Sequence, residues 1–293
     1  MVSDDILYNP TLYSKALTPA ELAKSFKWHN YAWSPKSSQV FCISAFGTLR
    51  NLAVGNQVLA NLLYEAFPET FTQGRSRKWM INLEAEDEGL LNERGTRQPT
   101  SIDALCTSSR EVVCVESKFI TDAADGFGRC SQAVRGDCAG YRGPGSDSKT
   151  KTSAWCRLES WDGGRSPRLY WSFGKTYFRP EIFEQQLPGQ TCPFSGPFYQ
   201  LLRNFLFAAA MAERDRKKSF GVLAICPEPT SGSISQQVEE FRQQVLLPEF
   251  RDCVKFLPYE TLIDHLRNVA DSEADELAAF LEERIRTVYR KDG

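Results

Sequence analysis

The sequence predicts an α/β fold, a mixed central sheet flanked by helices with a cysteine- and aromatic-rich insertion. Three observations predict it. Apolar residues recur with a helical period from about residue 38 to 67, and the period then drops to two through about residue 120. Beyond residue 197 helix-like and strand-like segments alternate. The 293-residue chain is 42% hydrophobic and 25% charged, the composition of an ordinary globular protein rather than a disordered one.

Taken in order, the first helix start is Thr18-Pro19-Ala20-Glu21. Thr18 can cap, Pro19 suits the first turn, and Glu21 stands where a capping box needs a carboxylate. The stretch from Ser38 to Phe67 places Leu49, Leu52, Ala53, Val58, Leu59, Leu62 and Leu63 at helical spacing, so it is expected to be core. From Lys78 the chain alternates: Trp79, Ile81, Leu83 and Ala85 against Met80, Asn82, Glu84 and Glu86, a strand with one polar face. A short strand from Thr100 to Thr107, a turn at Ser108-Ser109-Arg110 and a strand from Glu111 to Ile120 complete an antiparallel meander. After the insertion come a helix with the stripe Phe198, Leu201, Leu202, Phe205, Leu206 and Ala209, and a strand from Phe220 to Cys226. A helix from Ile234 to Leu247, a strand from Val254 to Pro258 and two acidic helices ending near Arg290 finish the order.

The expected organisation is one domain over 1–293, carrying the Cys/Gly/aromatic-rich insertion 121–196 and an acidic helical part, 227–293. Charge divides the same way. Residues 141 to 180 hold eight basic and three acidic side chains, a local +5, whereas from residue 225 onward there are 8 basic and 14 acidic. The whole chain is only −2, which excludes a histone-like surface but not a local basic cleft. Leu201 to Ala212, the most apolar run, is interrupted by Arg203 and Asn204 and falls short of a membrane span. MVSDDILYNP lacks the pattern of a secretory leader, and an odd count of nine cysteines favours reduced thiols, so a cytoplasmic location is expected.

The informative passage is Thr100-Ser101-Ile102-Asp103, followed by Glu116-Ser117-Lys118 at the end of the most strand-like segment. Strand alternation puts Glu116 and Lys118 on one face, behind Val112 and Cys114. If the Ser108 turn pairs the two strands, Asp103 sits beside Glu116, and two carboxylates meet one ammonium. Such a cluster suits phosphodiester hydrolysis. Hard oxygen ligands hold Mg²⁺ while waters and substrate phosphate take the remaining positions. An ammonium beside them can orient water or offset developing charge. Taken alone, so short a match more often marks a solvated strand end and a turn residue than a metal site.

The order of elements adds to it. Helix, strand, Asp-bearing strand, ExK strand and a following helix that opens with Tyr199-Gln200 resemble the PD-(D/E)XK nuclease superfamily, the restriction-endonuclease-like fold. Here "SID" stands in place of the P-D motif, with Ile102 for the proline, and "ESK" stands for (D/E)XK. The resemblance covers about 40 to 120 and 197 to 226. It implies that Asp103 and Glu116 hold Mg²⁺ or Mn²⁺ and that Lys118 assists the attacking water. Glu84, on the polar face of the first strand, would join the metal directly or through water, or is an exposed strand acid. Gln200 matches the Gln or Tyr that many members bring near the metal from this helix, or is a solvent-facing residue of its first turn.

Two readings stand for the insertion. Cys130, Cys138, Cys156 and Cys192 could hold a structural Zn²⁺, although the spacing C-x7-C-x17-C-x35-C has no tight knuckle, or they are buried thiols. Trp155, Trp161, Tyr170, Trp171 and Tyr177, interleaved with the basic residues, could stack on bases beside phosphate-binding cations, or form a satellite core. The acidic helices, with Leu277, Phe280, Leu281, Ile285 and Val288 on one side, offer a packing face, a homo-oligomer face or a surface for a defence-system partner protein. Gly174-Lys175-Thr176 is no phosphate loop, because Leu169 occupies the required glycine. His29 and His265 have no ligand or triad neighbour in sequence, which argues against histidine-based hydrolysis.

The expectation is therefore a metal-dependent nuclease that hydrolyses DNA, by analogy of fold in restriction or phage defence. The alternative is a catalytically inactive nuclease fold that binds nucleic acid or protein.

Overall fold

A computed structural model describes residues 12–18, 21, 28–30, 32, 34–71, 78–94, 99–119, 126–130, 168–184, 194 and 196–289. Five strands form one sheet: β1 (Met80–Glu86), β2 (Ser101–Thr107), β3 (Glu111–Ser117), β4 (Ser219–Cys226) and β5 (Val254–Pro258), side by side in that order. β1, β2 and β3 pair antiparallel, while β3–β4 and β4–β5 are parallel. The sheet is mixed, as the sequence predicts. The β2–β3 hairpin closes at Ser108, whose N–H donates to the Glu111 carbonyl at 2.9 Å and whose Oγ accepts from the Arg110 and Glu111 amides. β3 is buried along its whole length, as expected of a strand covered on both faces.

The covering helices explain that burial. On one face, β3 and β4 present Val112, Cys114, Val222 and Ala224 to α4 (Tyr170–Tyr177), α6 (Tyr199–Arg214) and α7 (Glu228–Gln244). A short helix, α5 (Glu181–Glu184), follows α4. On the other face, Ala104, Cys106, Val113, Val115, Leu223 and Ile225 meet α1 (Ser38–Cys42), α3 (Gly55–Ala66), α8 (Tyr259–Arg267) and α9 (Ser272–Tyr289). Among the described residues no helix is long and apolar enough to cross a membrane.

Three elements differ from the sequence expectation. The stretch Ser38 to Phe67 is not one helix: α1 widens into a π turn at Ile43–Gly47, continues as α2 (Thr48–Asn51), and breaks where Leu52 turns extended before α3 begins. The break folds the chain back so that both halves bury apolar residues in the same cluster, which one straight rod could not do. α7 starts at Glu228, six residues earlier than expected. Pro227 is the extended residue that caps it, Pro229 fits its first turn, and the hydroxyls of Thr230, Ser231 and Ser235 bond back to carbonyls three residues before them. Within the expected insertion, α4 buries Tyr170 and Trp171, each 1% exposed. Tyr177 packs edge-on against Phe205, Phe220 and Phe250. Tyr170 and Trp171 are core and cannot stack on bases, while the half-buried Tyr177 has its ring engaged by three phenylalanines; Trp155 and Trp161 lie outside the described residues.

Candidate active site

Strand pairing brings three acids into line. Leu83 faces Ala104 and Ala85 faces Ile102 across β1–β2, so Glu84 lies opposite Asp103. Ala104 faces Val115 across β2–β3, and one further step puts Asp103 opposite Glu116. Glu84, Asp103 and Glu116 therefore stand level on three adjacent strands, a row whose charges act on one another although alternation is interrupted at Glu84 and Asp103. Glu84 has a φ of 48°, a left-handed backbone uncommon for a side-chain-bearing residue, within this row.

Each acid is held individually. The Ser117 N–H donates to Asp103 Oδ2 at 2.8 Å. Ser117 itself is braced from behind by a 2.6 Å bond between its hydroxyl and that of Tyr259, at the start of α8. Ser101 donates to Glu84 Oε2 at 3.2 Å, and Gln39 of α1 also reaches that carboxyl. Lys118 lies just past β3, its N–H fixed to the Ile225 carbonyl at 2.8 Å. Its ammonium meets Glu116 Oε1 at 2.8 Å and donates to Gln200 Oε1 at 2.6 Å. Glu116 and Lys118 are 3% and 6% exposed, so this is an ion pair withdrawn from water. Removing either member would strand the other charge.

Asn204 joins the site without belonging to any motif in the sequence. One turn after Gln200 on α6, it donates to Glu116 Oε2 at 2.6 Å and is 2% exposed. Its signal was an amide inside an apolar stripe, four residues after another amide. Phe127 joins it too, its ring 5.5 Å from the Lys118 ammonium. His29, which had no partner in sequence, comes within reach of the charges of Glu116 and Lys118. Partial burial lowers its pKa, the Glu116 carboxylate opposes that, and the Lys118 ammonium adds to it.

The electrostatics of the row are those of crowded anions. Burial pushes the Glu84 carboxyl up to about 7, with Glu116 and Glu86 adding to the rise and Gln39 and Ser101 resisting it. Burial likewise holds Asp103 well above the ordinary carboxylate range, reinforced by Glu116 and Glu84 and opposed by Lys118 and the Ser117 N–H. Glu84 Oε1 is buried without a hydrogen-bond partner. A buried oxygen with no donor, beside other carboxylates, fits a divalent cation of hard-oxygen preference. Among the described residues no three His, Cys, Asp or Glu side chains form a ready-made cage. Mg²⁺ does not require one, since it retains waters and takes one or two carboxylates plus substrate phosphate. Of the four cysteines weighed for zinc, only Cys130 is described, as a buried free thiol; Cys138, Cys156 and Cys192 lie outside the described residues.

A family model described as "Restriction Endonuclease associating with ARP" matches residues 3–284. The chain belongs to this family. The assignment agrees with the PD-(D/E)XK resemblance and with a mixed five-stranded sheet flanked by helices. No curated protein and no solved structure matches the chain.

Proposed function

We propose that this protein is a metal-dependent endonuclease that hydrolyses phosphodiester bonds in DNA, using Asp103, Glu116 and Lys118. The observation that carries the reading is the row of acids, half-buried at Glu84 and Asp103 and buried at Glu116, beside a buried ammonium, on the strands where the PD-(D/E)XK resemblance puts its motif. Asp103 and Glu116, with Glu84 beside them, would hold Mg²⁺ or Mn²⁺, which when bound supplies Lewis acidity at the phosphoryl oxygen. The chain's own groups do the rest. Lys118, steered by Gln200, presents an ammonium that orients the attacking water and offsets charge gathering on the phosphate. Asn204 fixes the rotamer of Glu116 by binding its second oxygen. Helices on both faces of the sheet exclude bulk water from this end of β3, where electrostatic contacts act with less screening.

A plasmid and oligonucleotide cleavage assay in Mg²⁺, Mn²⁺ or chelator tests this. The wild type cuts DNA only with divalent metal, and Glu116→Ala and Lys118→Met lose at least about a hundredfold in rate. Cleavage that persists in chelator, or in both variants, overturns the assignment. One observation favours a second reading, an inactive fold that binds nucleic acid: both Glu116 oxygens are already satisfied from within the protein. Salt-sensitive gel shifts without cleavage in either metal would support that reading instead.

A further inference from the structure

We infer that Phe127 is a positioning residue for Lys118, its ring serving as the contact that holds the ammonium without consuming an N–H. The inference rests on the nuclease reading and adds to it a residue outside the Asp…Glu-x-Lys motif.

An ammonium has three donors. Glu116 Oε1 and Gln200 Oε1 take two of them, at 2.8 and 2.6 Å. Among the described residues no third oxygen accepts from Lys118 Nζ, and the Phe127 ring lies 5.5 Å away. An aromatic face attracts a cation through its quadrupole but offers no lone pair to a particular N–H. A carboxylate at that place would have engaged the third donor. The ring instead keeps the charge in place and leaves that donor for a water or a phosphoryl oxygen.

The backbone around Phe127 is built for this contact. Gly126 and Gly128 flank it with φ values of 36° and 69°, left-handed conformations that favour glycine. A Cβ on Gly126 would overlap the Gln237 side chain. Phe127 donates its N–H to the Pro197 carbonyl at 3.2 Å, and its own carbonyl accepts from the Gln200 N–H at 2.8 Å. Gly128 accepts from Tyr199 in the same way at 3.3 Å. The ring and the Gln200 side chain, two of the three groups around Lys118, are thus tied together through main chain at the start of α6. They hold the ammonium as one unit. Phe127 is fully buried and also packs in the apolar cluster, so its volume and its π face must be separated by experiment.

Phe127→Leu retains apolar bulk and removes the π face. A series of mono-, di- and trifluorinated phenylalanines at the same position retains the shape and weakens the quadrupole stepwise. With DNA in saturating Mg²⁺, Phe127→Leu should lower kcat about tenfold and leave KM within about twofold, because the ring acts through Lys118 and not on the substrate. In the fluorinated series kcat should fall in step with ring electron density while the melting temperature stays constant. Unchanged kcat across that series, or a kcat loss in Phe127→Leu that merely tracks melting temperature, overturns the role of Phe127. Lys118→Met separates the two levels. Full activity of that variant, or an inactive wild type, defeats the nuclease reading and the inference with it. A dead Lys118→Met beside an indifferent fluorinated series defeats only the inference.

Discussion

Glu116 carries two obligations at residue scale: it neutralises Lys118 through one oxygen and accepts from Asn204 through the other. Asn204→Leu keeps the volume but leaves a buried carboxylate oxygen without a donor, at a cost of about 1–3 kcal/mol. Urea unfolding should show that loss, and kcat should fall, while Asn204→Gln, which keeps the amide donor, should restore part of it. A variant as stable and active as wild type would show that Asn204 only fills space. The acid row makes a second prediction. Glu84 is held near 7 against an ordinary 4.5, so across that window the folded chain binds more protons than the unfolded one. Stability conferred by a raised acid therefore declines as pH rises from 4.5 toward 7, and Asp103 pushes in the same direction. In chelator, melting temperature should drop between pH 4.5 and about 7, and Glu84→Gln should flatten that drop. Parallel curves for the two proteins would contradict it. The sequence already pointed to Glu84, Asp103, Glu116, Lys118 and Gln200, because strand alternation and a polar residue off a helical stripe are local patterns. Asn204 and Phe127 were not legible. Each owes its place to which helix or loop lies over β3, and that is decided by packing between segments about ten to ninety residues apart in the chain.

Among the elements, α6 links the acid row to the segment expected to be an insertion. Arg203, the neighbour of Asn204, turns to a second buried cluster, where its Nε donates to Thr100 Oγ1 at 3.0 Å and its Nη2 lies 3.5 Å from Glu93. Glu93 is fully buried, accepts from the Thr100 N–H and hydroxyl at 2.8 and 3.0 Å, and is also bonded by the Tyr170 hydroxyl of α4. The loop before β2, the helix α4 and the helix α6 therefore meet on one carboxylate. Glu93→Ala would leave Arg203 without its anion, and about 3–5 kcal/mol of stability should disappear. Chemical denaturation measures this directly, and a loss below about 1 kcal/mol would show that water replaces the carboxylate without penalty. Elements with regular apolar periods, β1 to β5 and α6, were readable from the chain. The broken helix over α1–α3 was not, since both halves carry a helical period and only the shared apolar cluster shows why the chain turns at Leu52. The start of α7 was hidden because Pro, Ser, Thr and Gly read as a loop until their hydroxyls are seen bonded along the helix.

For the molecule as a whole, the site is a product of sheet register. Its acids come from three strands, and a one-residue slip of β2 would turn Asp103 to the opposite face. The order of elements in the sequence was enough to suggest the fold, and the family match over 3–284 agrees with it. The near-neutral net charge of −2 gives no hint of a polyanion partner, so the proposed action on DNA would rely on local surfaces. What unites the residue and element scales is the claim that the acid row is crowded because a divalent cation belongs in it. Titration of Mn²⁺ into the purified protein, followed by electron paramagnetic resonance, tests that claim most directly. The wild type should bind the ion, and Asp103→Asn should weaken binding by more than about tenfold. Equal Mn²⁺ affinity in the two proteins would contradict the account.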